Sequence, residues 1–268
     1  MKDQTPPIDT RAAEAREKYL EPIFGPWAQE VVDRASLTGT EHVLDVGCGT
    51  GPATRLATKQ VSASGRVVGL DIDQVRLALA KSMAAKEGLN IDWFEGSALD
   101  LPFDKQMFDV VLCCLTLQFL PDRKKGLEEI HRVLKPGGRL IASVWRSVEH
   151  CPGYHAFSRA MSEASGKEPD PMPPFSLGDP EELRSLAVDA GFKNVEVYQV
   201  MKISRFASAN QFVEAIAAGA ATTRRALEAF DENTREKIGT AVSASLQNYM
   251  DQDGLGLPME ANILMASN

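Results

Sequence analysis

The chain has 268 residues, of which 44% are hydrophobic and 25% are charged, and its formal net charge at pH 7 is -8. These values are typical of a soluble globular protein with one large α/β domain or two small ones. The acidic balance argues against nucleic acid as a partner, because binding to a phosphate backbone needs a clustered basic surface.

Targeting and metal-binding signals are missing from the sequence. No run of about 18 apolar residues occurs, so we predict no membrane span, and residues 1–19 lack the apolar stretch of a secretory signal. The four cysteines have neither the spacing of metal ligands nor that of a disulfide framework. We therefore expect no metal site, buried thiols and a cytoplasmic location.

The first half of the chain predicts helices followed by strand–helix alternation. Residues 10–36 favour one or two helices, broken near Pro22 and Gly25–Pro26. Continuous apolar runs then suit strands covered on both faces, and their alternation with helices indicates a doubly wound, mostly parallel sheet. The predicted strands are 42–46, 66–72, 91–97, 108–115 and 139–145.

The C-terminal half has a different pattern. Its predicted elements are a proline-rich loop (147–178), a helix (179–191), a sixth strand (193–203), helices that begin near 208 and 231, and a final strand (261–267). About 60 mostly helical residues between the last two strands are too many for a simple connection. We interpret them as a lid or substrate element.

A glycine-rich turn follows the first strand. Gly47, Gly49 and Gly51 alternate directly after the apolar run and open a helix, which brings bare backbone N–H groups to a ligand or simply makes a tight joint. The dinucleotide fingerprint has its third small residue one place later, where Pro52 stands, and no Lys-Ser/Thr follows as in a P-loop. Asp71, 20 residues after Gly51, ends the second strand, where an acidic side chain can bind ribose hydroxyls.

Five motifs carry a resemblance to a known family. They are VLDVGCGTG (43–51), VVGLDID (67–73), GSALDLPF (96–103), FDVVLCCLTLQFLPD (108–122) and EEIHRVLKPGGRL (128–140). In order and spacing, residues 19–146 resemble the class I S-adenosylmethionine-dependent methyltransferases, and most of all the ubiquinone/menaquinone-biosynthesis type.

The resemblance implies an α/β, Rossmann-like fold whose doubly wound sheet has seven strands, the last of them antiparallel, with helical lid elements. We predict a single methyltransferase domain over residues 1–268. Its parts are a helical cap (1–40), a cofactor-binding core (41–146), lid elements (147–178 and 204–256), and the remaining helix and strands of the core (179–203 and 257–268).

The resemblance also assigns the methionine end of S-adenosylmethionine. It implies that Asp45 orders the glycine turn and that Leu115 and Gln118 lie beside the methionine portion. The turn residues that it places against the cofactor are Gly47, Cys48, Gly49 and Gly51.

For the adenosine end, the resemblance implies that Asp71 binds the ribose and Ile72 packs against the adenine. Ser97 and Ala98 lie where the adenine amino edge is bound. The family usually has an acidic residue at the position of Ser97, so we expect a lower adenine affinity here. Tyr19, in the N-terminal helix, either closes over the cofactor or serves the packing of that helix.

Methyl transfer from a sulfonium is an in-line displacement, so positioning supplies most of the catalysis, about 7–11 kcal/mol. A general base is needed only when the acceptor must lose a proton. His150, Tyr154 and His155 follow the fifth strand at its carboxyl end and are the catalytic candidates. His42 is expected to be structural, and His131 to be solvated.

We therefore predict an S-adenosylmethionine-dependent methyltransferase that acts on the carbon, oxygen or nitrogen of a small molecule, such as a quinone, polyketide or other aromatic metabolite. An NAD-dependent oxidoreductase and a non-catalytic binding subunit of the same fold stay open as alternatives, as does a homodimer. Six side chains either wall an acceptor pocket or pack the lid. They are Trp145, Phe157, Met172, Phe175, Phe206 and Phe212.

Overall fold

One sheet organises the chain in the computed structural model, which describes residues 11–168, 172–219 and 221–268. Its strands are β1 (His42–Val46), β2 (Arg66–Asp71), β3 (Asp92–Glu95), β4 (Phe108–Cys114), β5 (Leu134–Trp145), β6 (Lys193–Phe206), β7 (Met250–Asp251) and β8 (Gly254–Ser267).

The strand order is β3-β2-β1-β4-β5-β8-β6, and β7 pairs only with β8. Strands β1 to β5 pair in parallel, with Val43 opposite both Val67 and Val110, whereas β8 runs antiparallel to β5 and β6. The doubly wound sheet with an antiparallel last strand is confirmed. The short β7 makes the sheet eight-stranded rather than seven-stranded.

Helices flank the sheet, and several begin at an acidic cap. Asp73, Asp122 and Asp231 each accept a hydrogen bond from a backbone N–H in the first turn of the following helix. The helices are α1 (Arg11–Ala35), α2 (Pro52–Gln60), α3 (Gln74–Lys86), α4 (Arg123–Val133), α5 (Pro152–Ser165), α6 (Pro180–Asp189), α7 (Ala209–Gly219), α8 (Ala221–Glu228) and α9 (Glu232–Ser245).

The predicted break in the N-terminal helix is wrong. Helix α1 runs without interruption past both prolines. Ile23, Trp27 and Val31 recur every four residues and are fully buried. Because burying each such side chain is worth about 1.5–3 kcal/mol, packing offsets the backbone hydrogen bonds that proline cannot make.

The two C-terminal strands are longer than predicted. Strands β6 and β8 each span 14 residues and pair from Lys193–Ser267 to Phe206–Leu255. The beginning of β8 contains Gly254, Gly256 and Pro258, a composition typical of a turn. The long antiparallel partner overrides that local preference.

The sheet separates two apolar cores. One contains α1 together with α5, α7 and α9, and the other lies under α4 and α6. The side chains considered for an acceptor pocket belong to the first core, where they pack the helices of the predicted lid elements against the sheet. Those buried there are Trp145, Phe157, Phe175, Phe206 and Phe212, with Met172 packed against them.

Across the described ranges, no helix combines the length and apolar character that crossing a membrane requires.

We expect Glu129 in α4 to link stability to pH. This buried carboxylate accepts hydrogen bonds from Arg132 and from the Leu101 N–H, at 2.7 and 2.9 Å, and chiefly the Arg132 bonds lower its pKa to about 2. The stability it supplies is therefore present above pH 4.5 and lost as the pH falls toward 2. Glu129→Gln should cost about 2 kcal/mol at pH 7 and less at pH 3 in thermal unfolding followed by circular dichroism.

The matched control is Glu128→Gln on the same helix, since the Glu128 side chain is 43% exposed and lies 3.8 Å from Lys124. It should leave the unfolding midpoint nearly unchanged at both pH values. Equal effects of the two substitutions would contradict the assignment.

Candidate active site

The turn between β1 and α2 lies at the carboxyl ends of the parallel strands. Its three glycines have positive φ angles of 70° at Gly47, 58° at Gly49 and 81° at Gly51. A Cβ on Gly47 would lie 2.3 Å from the Thr116 side chain, and one on Gly51 would lie 2.6 Å from the Trp93 ring. A Cβ on Gly49 would meet none of the described atoms within 4 Å. Gly47 and Gly51 thus serve packing, and Gly49 presents bare backbone to open space.

Asp71 holds this turn against the end of β2. One carboxylate oxygen accepts the Gly49 N–H at 2.7 Å, and the other accepts the Asp73 N–H at 2.8 Å. The N–H groups of Gly47 and Cys48 donate to the Leu70 carbonyl at 2.7 and 2.9 Å. As the sequence predicts, Asp73 rather than Asp71 caps α3.

Asp45, at the end of β1, is 1% exposed. Its Oδ2 accepts the Thr54 hydroxyl at 2.6 Å, while its buried Oδ1 has no hydrogen-bond partner in the described part of the chain. Burial, and then the nearby Asp71 carboxylate, raise the pKa of Asp45 to about 7. Burial also raises the pKa of the Cys48 thiol, so this cysteine contributes backbone rather than a thiolate.

The end of β4 lies next to the end of β1. Leu115 has a positive φ of 52°, uncommon for a side chain of its size, and donates its N–H to the Ser143 carbonyl at 2.9 Å. Two residues after Thr116, Gln118 is 3% exposed, and neither atom of its amide has a partner among the described residues. Adjacent strand ends thus bring three unpaired buried polar atoms to one edge of the sheet.

The residues predicted to hold the adenosine lie beside Asp71. The Gly96 N–H donates to the Asp71 carbonyl at 3.1 Å, which places Ser97 and Ala98 next to the end of β2. The Ser97 hydroxyl accepts the Leu99 N–H at 3.1 Å. Ile72 is 73% exposed, a large apolar surface at this edge. The Tyr19 side chain lies outside the side chains that the structure describes.

The three catalytic candidates have different contacts. His150 Nδ1 lies 3.5 Å from Glu260 Oε2, while the Tyr154 ring packs edge-on against Phe175 and Phe212. His155 is half-buried in α5. Sequence reasoning missed Glu260, since the predicted last strand begins one residue later.

The other two histidines lie away from this edge. His42 begins β1 and donates its N–H to Asp109 at 2.9 Å. His131, expected to be solvated, is half-buried, and one side of its ring packs against Phe192 with centroids 5.1 Å apart. No group of three or more His, Cys, Asp or Glu within the described segments could hold a metal ion.

Comparisons with known proteins identify the family. Residues 44–142 match the model of a methyltransferase domain. The chain is 34% identical over 184 residues to a demethylmenaquinone methyltransferase of Staphylococcus carnosus, covering 64% of this chain and 76% of that enzyme. The chain belongs to the class I S-adenosylmethionine-dependent methyltransferases.

A ubiquinone/menaquinone biosynthesis C-methyltransferase of Klebsiella pneumoniae is 29% identical over 188 residues, or 65% of this chain and 75% of that enzyme. Other curated relatives match over about half of their length. A Haemonchus contortus phosphoethanolamine N-methyltransferase, solved with S-adenosyl-L-methionine, shares the fold with a TM-score of 0.59 and 21% identity, over 95% of this chain and 56% of that one. The family's methyl donor is S-adenosylmethionine.

Two alanine substitutions should separate packing from ligand approach in this methyltransferase. Gly47→Ala combines an overlap with Thr116 and a left-handed backbone, so we expect a loss of about 3 kcal/mol of stability. Gly49→Ala meets only the backbone cost, about 1–2 kcal/mol, but should weaken S-adenosylhomocysteine binding more than tenfold. Thermal unfolding and calorimetric titration measure the two effects. Unchanged affinity in the folded Gly49→Ala variant would show that no ligand approaches this glycine.

Proposed function

We propose that the carboxyl edge of β1, β2 and β4 holds S-adenosylmethionine with its methionine end at Asp45 and Gln118. The observation that supports this best is the set of buried, unpaired polar atoms, Oδ1 of Asp45 and both amide atoms of Gln118, counted over the described residues. Leaving such groups unsatisfied costs about 1–3 kcal/mol each. A ligand with an ammonium and a carboxylate supplies the missing donors and acceptors.

The adenosine half has suitable partners along β2. Each Asp71 oxygen accepts one backbone N–H, so lone pairs remain for ribose hydroxyls. The exposed Ile72 side chain offers apolar surface to the adenine face, and Ser97 and Ala98 line its edge. Gly49 and Cys48 bring the turn backbone to the ligand, and Leu115 limits the space beside the methyl group. Tyr19 closing over the site stays a prediction.

For the acceptor, we propose a reduced quinone or a related hydroxylated ring, methylated on carbon. The relatives named demethylmenaquinone methyltransferase and ubiquinone/menaquinone C-methyltransferase support this class. When bound, the cofactor supplies a methyl group on a sulfonium. The protein's own residues then hold the ring in line with the carbon–sulfur bond and exclude water. Such positioning can lower the activation barrier by about 7–11 kcal/mol. We place the acceptor under residues 1–30, 147–178 and 205–255, of which 1–10, 169–171 and 220 lie outside the described residues.

The free cysteines support a cytoplasmic location, since all four thiols in the described chain are unpaired. A homodimer is our proposal for the assembly, supported by the exposed Met201 and Ile203 on the edge strand β6. Sedimentation equilibrium tests the homodimer proposal independently of enzymatic activity.

Calorimetric titration tests the cofactor assignment. We expect S-adenosylhomocysteine to bind and NAD not to bind. Asp71→Asn should weaken binding about 10–100-fold, as for the loss of a hydrogen bond to a charged group. Asp73→Asn, two residues later, is the matched control and should stay within twofold because asparagine also caps a helix.

A methyl-transfer assay tests the activity, with a reduced 1,4-naphthoquinone that lacks the ring methyl and with mass spectrometry of the product. Binding of NAD alone would overturn the cofactor proposal. Binding of S-adenosylhomocysteine without transfer to this ring would overturn only the acceptor class.

Cofactor affinity should depend on pH through Asp45. Its pKa is raised to about 7, so the carboxyl is largely protonated at pH 6. A cationic ligand beside Oδ1 favours the carboxylate, and therefore S-adenosylmethionine should bind severalfold more tightly at pH 8 than at pH 6 and release protons. Titrations in two buffers of different ionisation heat measure that release. Asp45→Asn should abolish the dependence, and proton uptake would contradict the assignment.

A further inference from the structure

A charged cluster lies where β5 ends, outside the residues assigned to the cofactor. The antiparallel register places Trp145 opposite Ala261, and the Arg146 N–H donates to the Glu260 carbonyl at 3.0 Å. The Arg146 and Glu260 side chains are therefore cross-strand neighbours on one face of the sheet. Arg146 Nη1 donates to Glu260 Oε2, and His150 Nδ1 lies 3.5 Å from the same oxygen.

The cluster has unused hydrogen-bonding capacity. Arg146 and Glu260 are 17% and 26% exposed in their side chains, yet Arg146 Nε is buried without a partner among the described residues. The guanidinium stays charged at any physiological pH, so this N–H is a strong donor with no acceptor. Asn262, two residues further along β8 on the same face, is fully buried and has an equally unpaired Oδ1 within the described chain.

A short segment joins this cluster to Gln118. The Ser176 hydroxyl donates to the Gln118 carbonyl at 3.2 Å, and Asn262 Nδ2 donates to the Gly178 carbonyl at 2.9 Å. Gly178 packs directly on the chain after Arg146, where a Cβ would lie 2.3 Å from the next backbone nitrogen. The Leu115 N–H also donates to the Ser143 carbonyl at 2.9 Å, and Arg146 follows Ser143 by three residues, which span at most about 11 Å. The cluster therefore lies on the strand end next to the proposed methionine end.

We propose that Arg146, Glu260 and His150 bind the acceptor through an ionisable ring hydroxyl adjacent to the methylated carbon. The inference rests on the proposed methyltransferase function and deepens it. It selects phenols, naphthols, hydroquinones and enols as the acceptor class, and it disfavours amines and thiols.

The contacts of each residue in the cluster give its role in the reaction. Glu260 contacts Nδ1 of His150, which leaves Nε2 to take the hydroxyl proton of the acceptor. Arg146 Nε then donates to the oxygen anion. Delocalisation of the negative charge makes the adjacent ring carbon nucleophilic. That carbon forms a bond to the methyl group, and the electron pair of the broken carbon–sulfur bond stays on sulfur. That carbon loses its proton to solvent, and His150 returns the proton to the oxygen.

Several charged or titratable groups surround His150. Glu260 approaches from β8, Arg146 from the end of β5, and Glu149 from the same short helix. Hydrogen bonds from its own backbone N–H and from Ser147 lower the pKa of Glu149, with smaller contributions from His155 of α5 and from His150. A pH profile therefore reports this whole set, and the role of Glu260 must be read from the change caused by its own substitution.

Two probes test the anion subsite. The first, 2-hydroxy-1,4-naphthoquinone, is ionised at neutral pH, and 2-methoxy-1,4-naphthoquinone has the same ring without the charge. Dissociation constants are measured with and without S-adenosylhomocysteine. The wild type should prefer the ionised probe at least tenfold. Arg146→Gln should lose this preference while S-adenosylhomocysteine affinity stays within twofold.

The double substitution Arg146→Gln/Glu260→Gln removes both charges and guards against misfolding of the single variant. It should also lose the preference. Arg159→Gln, which breaks an exposed pair with Glu163 on α5, is the matched control and should keep it. Equal binding of the two probes by the wild type, or a retained preference in both Arg146 variants, would overturn the proposal. Failure of S-adenosylhomocysteine to bind the wild type would instead overturn the proposed function.

Glu260 is a positioning residue, and rescue by a shorter carboxylate tests it. Glu260→Gln should lower the rate of methyl transfer about tenfold while S-adenosylhomocysteine affinity stays within twofold. Glu260→Asp should restore part of that rate, because it keeps a carboxylate beside Arg146 and His150. Equal rates for the two variants would show that the carboxylate does not position these groups, and would overturn the assignment of Glu260.

Discussion

The site depends on one buried carboxylate. Asp71 accepts the N–H groups of Gly49 and Asp73, and so joins the glycine turn, the end of β2 and the beginning of α3. Burying a carboxylate is costly unless donors surround it, and here the donors are the backbone of the elements that it joins. The turn can therefore hold left-handed conformations that an isolated loop would leave, and its open backbone at Gly49 is already in place before a ligand arrives.

This arrangement places a second carboxyl group, that of Asp45, near Asp71, and the pair affects how the proposed site binds its ligand. Asp45 lies near Asp71 in a desolvated position, so its charge is disfavoured until a cation or donors reach Oδ1. At the neighbouring strand end, the Gln118 side-chain amide likewise has no hydrogen-bond partner among the described residues. These buried, unpaired polar groups are unfavourable in the absence of a ligand, and in the proposed site a ligand of complementary charge would relieve them. A preorganised site of this kind loses little entropy on binding.

Local patterns predicted the parallel half of the fold and little of the antiparallel half. Apolar runs located β1 to β5, and the spacing to Asp73 identified its cap, because these features depend on neighbouring residues. The continuous α1 and the long β8 were missed, since burial and a distant partner strand override proline and glycine there. The packing role of two turn glycines could not be predicted, because the atoms they avoid belong to Thr116 and Trp93.

The binding sites proposed for the methyl donor and for the acceptor differ in the same way as the parallel and antiparallel halves of the fold. The proposed donor subsite, for S-adenosylmethionine, is formed by turns that follow parallel strands, so motifs that are local in sequence predict it. The proposed acceptor subsite needs Glu260 from β8 opposite Arg146 after β5, a pairing between residues 114 positions apart. Register fixes that pairing, and a shift of one residue would turn Glu260 to the other face. If the proposed acceptor subsite is right, substitutions on β8 would change the acceptor without disturbing the donor, which is consistent with one fold hosting many functions.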